Sequence, residues 1–244
     1  MAGPEKNKGR SAMKDSDDPP PLSITNWKLS DLPEKRKHWS ADHLPVDILL
    51  LTVEDCELLA CYYYLRDSFK SYHTSIGDVY FGNMGGEGDE SLRGALVKCS
   101  KESLDPGGSQ TTAKNAVTLL KPKATFLVGF SYSPSFGKAQ RGDVVISSTL
   151  TTKYHQTPVS RNVGTLIKTA AHGWKAPLGK PEAQEVKVHC DGKIWSHTDL
   201  NVAEQQCQSH SGAIVVEMEG KGENYYQGYC GGASVFIQLK ISLP

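Results

Sequence analysis

The sequence predicts an α/β protein built on a sheet with buried parallel strands, and three stretches predict it. Val46-Asp-Ile-Leu-Leu-Leu-Thr-Val53 is a nearly continuous apolar run, as expected of a strand covered on both faces. The turn Glu54-Asp-Cys-Glu57 leads on into Leu58-Leu-Ala-Cys-Tyr-Tyr-Tyr-Leu65, so the order is strand, acidic turn, helix. Ala213-Ile-Val-Val-Glu-Met-Glu-Gly220 is a second buried run that ends in Glu-x-Glu. Charge then falls where a strand leaves the core, the edge at which open α/β sheets bind ligands. Strand alternation turns Glu217 and Glu219 to one side and Met218 to the other. The same octapeptide also fits a strand end whose glutamates are simply hydrated, and the two readings weigh about equally.

Composition narrows the function classes. A chain of 244 residues fits one α/β domain with a substantial core. The 27 basic and 27 acidic residues balance, so no overall field draws nucleic acid or an acidic membrane surface, and an anionic ligand must be caught locally. Six cysteines, Cys56, Cys61, Cys99, Cys190, Cys207 and Cys230, form no Cys-x-x-Cys pair, which reads as free thiols in a reducing compartment. No signal-peptide core and no apolar run of roughly 20 residues is present, so the expectation is a soluble cytoplasmic protein.

Residues 1–44 are polar and carry Asp17-Asp-Pro-Pro-Pro21, which reads as a largely disordered arm ahead of a domain spanning 45–244. Within the arm, Trp27, Leu29, Leu32 and Trp39 suit docking, although a loose attachment is favoured. Within residues 66–90, Gly82-Asn-Met-Gly-Gly-Glu-Gly88 reads as a flexible loop and not a phosphate loop: no Walker or Rossmann spacing surrounds the glycines. Ala95–Lys98 reads as a short strand. Asp105-Pro-Gly-Gly-Ser-Gln-Thr-Thr112 opens a helix over Ala113–Leu120, and its glycines and hydroxyls suit either an anion or an ordinary N-cap. Lys123–Phe130 is the next buried strand, followed by the loop Ser131-Tyr-Ser-Pro-Ser-Phe-Gly137 and the strand Arg141–Ser147. Thr151–His172 reads as a loop bearing Tyr154, His155 and Arg161, then a helix from Val163. Glu185–Cys190 alternates as a strand, Thr198 suits the cap of a helix to Ser209, and Val235–Ile241 suits a strand. Cys207-x-x-His210 is half of a zinc spacing with no second half, so no metal is expected.

These motifs resemble the nucleoside phosphorylase superfamily, which includes purine nucleoside phosphorylases, nucleosidases and the ATP nucleosidases of bacterial and animal immunity. The likeness covers about Val46 to Gly220. It rests on the first strand, on Gly142-Asp-Val-Val145, and on Glu217-Met-Glu219. It implies a three-layer α/β/α sandwich with a mixed central sheet, of the phosphorylase/hydrolase type. Glu219 would hold the ribose hydroxyls, with Met218 packed on the sugar and Glu217 beside them. Glu57 would act on the attacking water, with Glu54 and Asp55 as the alternatives one register away. Phe130, Ser131 and Tyr132 would line the base site, with His155 as a further contact.

The resemblance therefore implies a hydrolase that takes a small purine nucleotide, without cofactor, and assembles as a homo-oligomer. ATP split to adenine and ribose 5-triphosphate in antiviral defence is the closest fit. The alternatives are a phosphate-dependent purine nucleoside phosphorylase and an inactive nucleotide-binding module. One departure stands out. The family's leaving-base acid is an aspartate on a late strand, and this chain has no aspartate after Asp199, so its C-terminal end is atypical, as in a truncated form.

Overall fold

The computed structural model describes residues 27–85, 91–100, 108–132, 139–140, 142–151, 156–158, 161–179, 185–196, 213–217 and 235–243. The chain runs β1 (Ile48–Thr52), α1 (Asp55–Tyr62), β2 (Arg66–His73), β3 (Gly77–Gly85), β4 (Ser91–Lys98) and α2 (Ser109–Leu120). It continues with β5 (Ala124–Tyr132), β6 (Val144–Thr151), β7 (Gln156–Pro158), α3 (Arg161–Thr169), β8 (Val188–Ser196), β9 (Ala213–Glu217) and β10 (Val235–Leu243).

One sheet collects all ten strands, in the order β10-β6-β8-β9-β5-β1-β4-β3-β2, with β7 on β6. Because β10 also pairs with β5, the strands β5, β10, β6, β8 and β9 close into a ring. The sheet is mixed: β1 is parallel to β4 and β5, whereas β2–β3–β4 form an antiparallel meander. Helices cover β1 on both faces. Leu49, Leu51 and Val53 pack with Ala113, Ala116, Val117 and Leu120 of α2, and Leu50 packs with Leu58, Cys61 and Tyr62 of α1. That alternation follows from the pleat, and it makes the run at β1 apolar throughout because neither face meets water. Each such leucine contributes about 1.5–3 kcal/mol by leaving water.

Several expectations need correction. Gly82–Gly85 are not a loop but the end of β3, which forms a hairpin with β2, while residues 86–88 lie outside the described residues. Gly82 is closely packed: a Cβ there would lie 2.8 Å from the carbonyl oxygen of Arg66. β5 runs through Ser131 and Tyr132, which are strand and not loop. Arg161 opens α3 and does not sit on a loop, and α2 begins at Ser109, four residues before the expected start. From Trp27 on, the arm is docked. Trp27 meets Tyr62 edge-on at 5.3 Å, Leu32 is 8% exposed, and Trp39 lies edge-on to Phe81 at 5.1 Å. The Lys37 N–H also donates to the Lys70 carbonyl at 2.7 Å, covering part of the edge that β2 would otherwise present.

Candidate active site

The parallel strands β1, β4 and β5 end along one edge, and the site is built where β5 outruns its neighbour. The β1–β5 ladder stops at Leu51 opposite Leu127, and β9 joins β5 only at Tyr132 opposite Val216. Between those points neither β1 nor β9 pairs with β5, and this gap in the ladder defines a candidate crevice at the carboxyl end of the parallel strands, the switch-point position at which α/β sheets bind ligands.

Glu57 spans that crevice. Its place in the first turn of α1 lets the side chain fold back on the helix start, where Oε2 accepts the N–H of Val53 at 2.8 Å and of Glu54 at 2.9 Å. Such a return contact satisfies donors that a helix N-terminus leaves open, and negative charge there complements the helix dipole. The second oxygen, Oε1, accepts the N–H of Phe130 at 3.0 Å. That N–H lies past the end of the β1 ladder, so a carboxylate stands where a strand carbonyl would otherwise be. Glu57 is 7% exposed. Of the three turn carboxylates it is the one directed at β5: Glu54 is half-buried, and Asp55 is exposed and paired with Lys98 Nζ on the end of β4.

The base-site candidates are held from two sides. Ile241, Ser242 and Leu243 of β10 pair with Phe130, Ser131 and Tyr132. Ser131 is buried, whereas Phe130 and Tyr132 are half-buried. Glu217 ends β9 one residue after the Tyr132–Val216 pair. The structure thus brings Glu57, Phe130, Ser131, Tyr132 and the backbone of Glu217 to one edge, while Met218, Glu219 and His155 lie outside the described residues. β10 occupies a sheet position beside the base-site segment, yet Val235–Leu243 contains no carboxylate.

Sequence reasoning missed two features. Asp143 of the Gly-Asp-Val-Val stretch is 2% exposed. It accepts the N–H groups of Gln140 and Lys187, each at 2.9 Å, and lies 3.0 Å from His189 Nε2. It fastens the starts of β6 and β8, and the only sequence signal was an acid directly before an apolar run. The other is Lys98 at the end of β4, whose ammonium pairs with Asp55 at the start of α1. Burial, with the Glu57 carboxylate adding to it, pushes the Cys61 thiol up to about 12, away from thiolate chemistry. Among the described residues no group of side chains could hold a metal ion, and no helix is long and apolar enough to cross a membrane.

No protein-family model matches the chain, and no curated protein matches it. Solved structures do. The chain is similar to S-adenosylhomocysteine nucleosidase from Streptococcus pyogenes in complex with 5-methylthiotubericidin, with TM-score 0.62 and 17% identity over 82% of this chain and 84% of that one. It is also similar to a 5′-methylthioadenosine/S-adenosylhomocysteine nucleosidase from Colwellia psychrerythraea in complex with adenine, with TM-score 0.62 and 13% identity over 81% and 82%. The corresponding enzyme from Neisseria meningitidis, in complex with methylthio-immucillin-A, gives TM-score 0.60 and 14% identity over 80% and 84%. At these identities the likeness establishes the fold.

Proposed function

We propose that the chain is a purine N-glycosidase that takes a nucleotide, with ATP as the substrate and adenine and ribose 5-triphosphate as products. The observation that carries this reading is the Glu57 carboxylate, buried in the crevice beside Phe130 on a fold shared with adenine-binding nucleosidases. Cleaving the bond between C1′ and the purine nitrogen sends the bonding pair to the base and leaves cationic character on the ribose. Three N–H groups occupy part of the acceptor capacity of Glu57, and a remaining lone pair would take the proton of the attacking water. Glu219 would hold the 2′ and 3′ hydroxyls, with contacts that strengthen as charge develops. ATP as substrate, and nucleotide depletion as an antiviral response, rest on the sequence resemblance.

A second reading, a nucleotide-binding module without turnover, is favoured by one observation: β10 brings no acid to protonate the leaving base. The purified chain is incubated with ATP, without and then with phosphate, and free adenine is followed by chromatography, with Glu219→Ala as control. Adenine released without phosphate and lost in the variant supports the hydrolase. Release only with phosphate makes the protein a phosphorylase. ATP binding with no adenine under either condition supports the module.

A further inference from the structure

A second cavity lies away from the crevice, toward the amino end of β4 and beside the docked arm. It measures about 190 Å³. Its floor is Phe69 and Phe81, stacked with ring centres 5.2 Å apart, and His43 from the arm stands edge-on to Phe69 at 4.9 Å. Asp67, Asn83 and Arg93 complete the lining. The docked arm therefore supplies one wall.

Two features of the polar residues point to a ligand. Asp67 has φ 51°, a left-handed conformation that a non-glycine residue adopts at a cost, and it sits in the bulge of β2 between Arg66 and Phe69. Bulges recur where a strand re-aims a side chain at a site. Its carboxylate is exposed at the rim of the cavity and has one long protein contact, 3.4 Å, from Asn83 Nδ2. Arg93 is also exposed at the rim and held as loosely. Its guanidinium reaches the Asp42 carbonyl at 3.4 Å and an Asp47 carboxylate oxygen at 3.9 Å, although it has five N–H donors to place. No ion pair joins Asp67 to Arg93, so an anion acceptor and a cation donor stand apart over an apolar floor.

We propose that this cavity binds a free α-amino acid with an apolar side chain. Arg93 takes the carboxylate in a forked contact, Asp67 and Asn83 take the ammonium group and its flank, and the side chain lies against the half-buried Phe69, with the buried Phe81 beneath it. The volume is below the roughly 300–1,000 Å³ of sites for drug-sized molecules, which limits the occupant to something on the order of one amino acid. The site does not depend on the nucleosidase reading.

The full chain is titrated calorimetrically with leucine and phenylalanine, and with leucinamide and N-acetyl-leucine, each of which lacks one of the two charges. Saturable binding of a free amino acid is expected, weakened about tenfold or more by loss of either charge. Arg93→Gln and Asp67→Asn should each lose leucine binding while melting within a few degrees of the parent. Equal binding of a capped analogue, binding that survives both substitutions, or no binding of either free amino acid overturns the proposal. The capped analogues test it on the unaltered protein, so a variant that fails to fold leaves the result decidable.

Discussion

The carboxylate of Glu57 accepts the backbone N–H of Phe130 at 3.0 Å, joining two residues that are 73 positions apart in sequence. One side chain thereby ties the first turn of α1 to the stretch of β5 where β1 has ended and β9 has not yet begun. Its structural and chemical duties are separable by choice of substitution. Glu57→Ala strands three N–H groups and should destabilise the protein by about 3 kcal/mol or more, whereas Glu57→Gln retains an acceptor oxygen and should cost about half as much. Both should abolish adenine release. Urea unfolding beside the adenine assay checks this: activity that tracks stability across the pair would mean the carboxylate is only a strut.

Asp143 should behave as a structural anchor. Asp143→Ala removes the acceptor for the Gln140 and Lys187 N–H groups and the partner of His189, and should cost about 2–4 kcal/mol. His189→Ala removes one of these contacts and should cost about 1 kcal/mol. Paired denaturation curves provide the comparison, and equal losses would contradict the assignment of most of the work to the backbone contacts.

Acid should weaken the start of β1. The ammonium of Lys123, 2.7 Å from Asp47, and the Arg93 N–H at 2.8 Å hold the Asp47 carboxyl below its ordinary value. A depressed folded value gives stability that is present above the unfolded value of about 3.9 and is lost as pH falls through the folded one. Asp47→Asn should therefore be less stable than the parent by about 1 kcal/mol at neutral pH, since Lys123 is largely exposed and screened. The gap should close as pH falls below about 4. Stability measured against pH for both proteins tests the sign, and a gap that widens in acid would refute it.

Gly82 should resist substitution. An added Cβ would meet a backbone oxygen, Arg66 O at 2.8 Å, which cannot swing aside, so Gly82→Ala should cost about 1–3 kcal/mol. At Gly94, its partner on β4, the nearest atoms belong to the side chains of Leu65 and Met84 at 3.0 Å, which can shift. Gly94→Ala should lower the melting temperature less, and the reverse order would mean the hairpin yields where the packing says it is stiff.

What could be read in advance followed burial. β1 was legible because both of its faces are covered, and β9 for the same reason at Val215 and Val216. The hairpin was hidden because β2 is a polar edge strand whose charges face solvent or Asp78, and because Gly82 within β3 serves close approach and not a turn. Ser131 and Tyr132 looked like loop residues, yet the neighbouring β10 supplies the ladder that makes them strand. Glu57 could be picked as a candidate, beside Glu54 and Asp55, through the family resemblance. Its contact with Phe130 could not, since nothing local in the sequence reports a partner so far along the chain. The amino-acid cavity was unreadable because its walls come from the arm and from three different strands.

The ring of β5, β10, β6, β8 and β9 has a consequence for synthesis. β10 leaves the ribosome after both strands it separates, so β5 and β6 wait with open edges while about a hundred residues are translated between β5 and β10. During that interval the β1–β5 half can consolidate around α1 and α2 while its unfilled edge invites any extended segment nearby. A protein ordered this way is most exposed to misassociation until β10 has been made, and a chaperone that shields sheet edges would matter most over that interval.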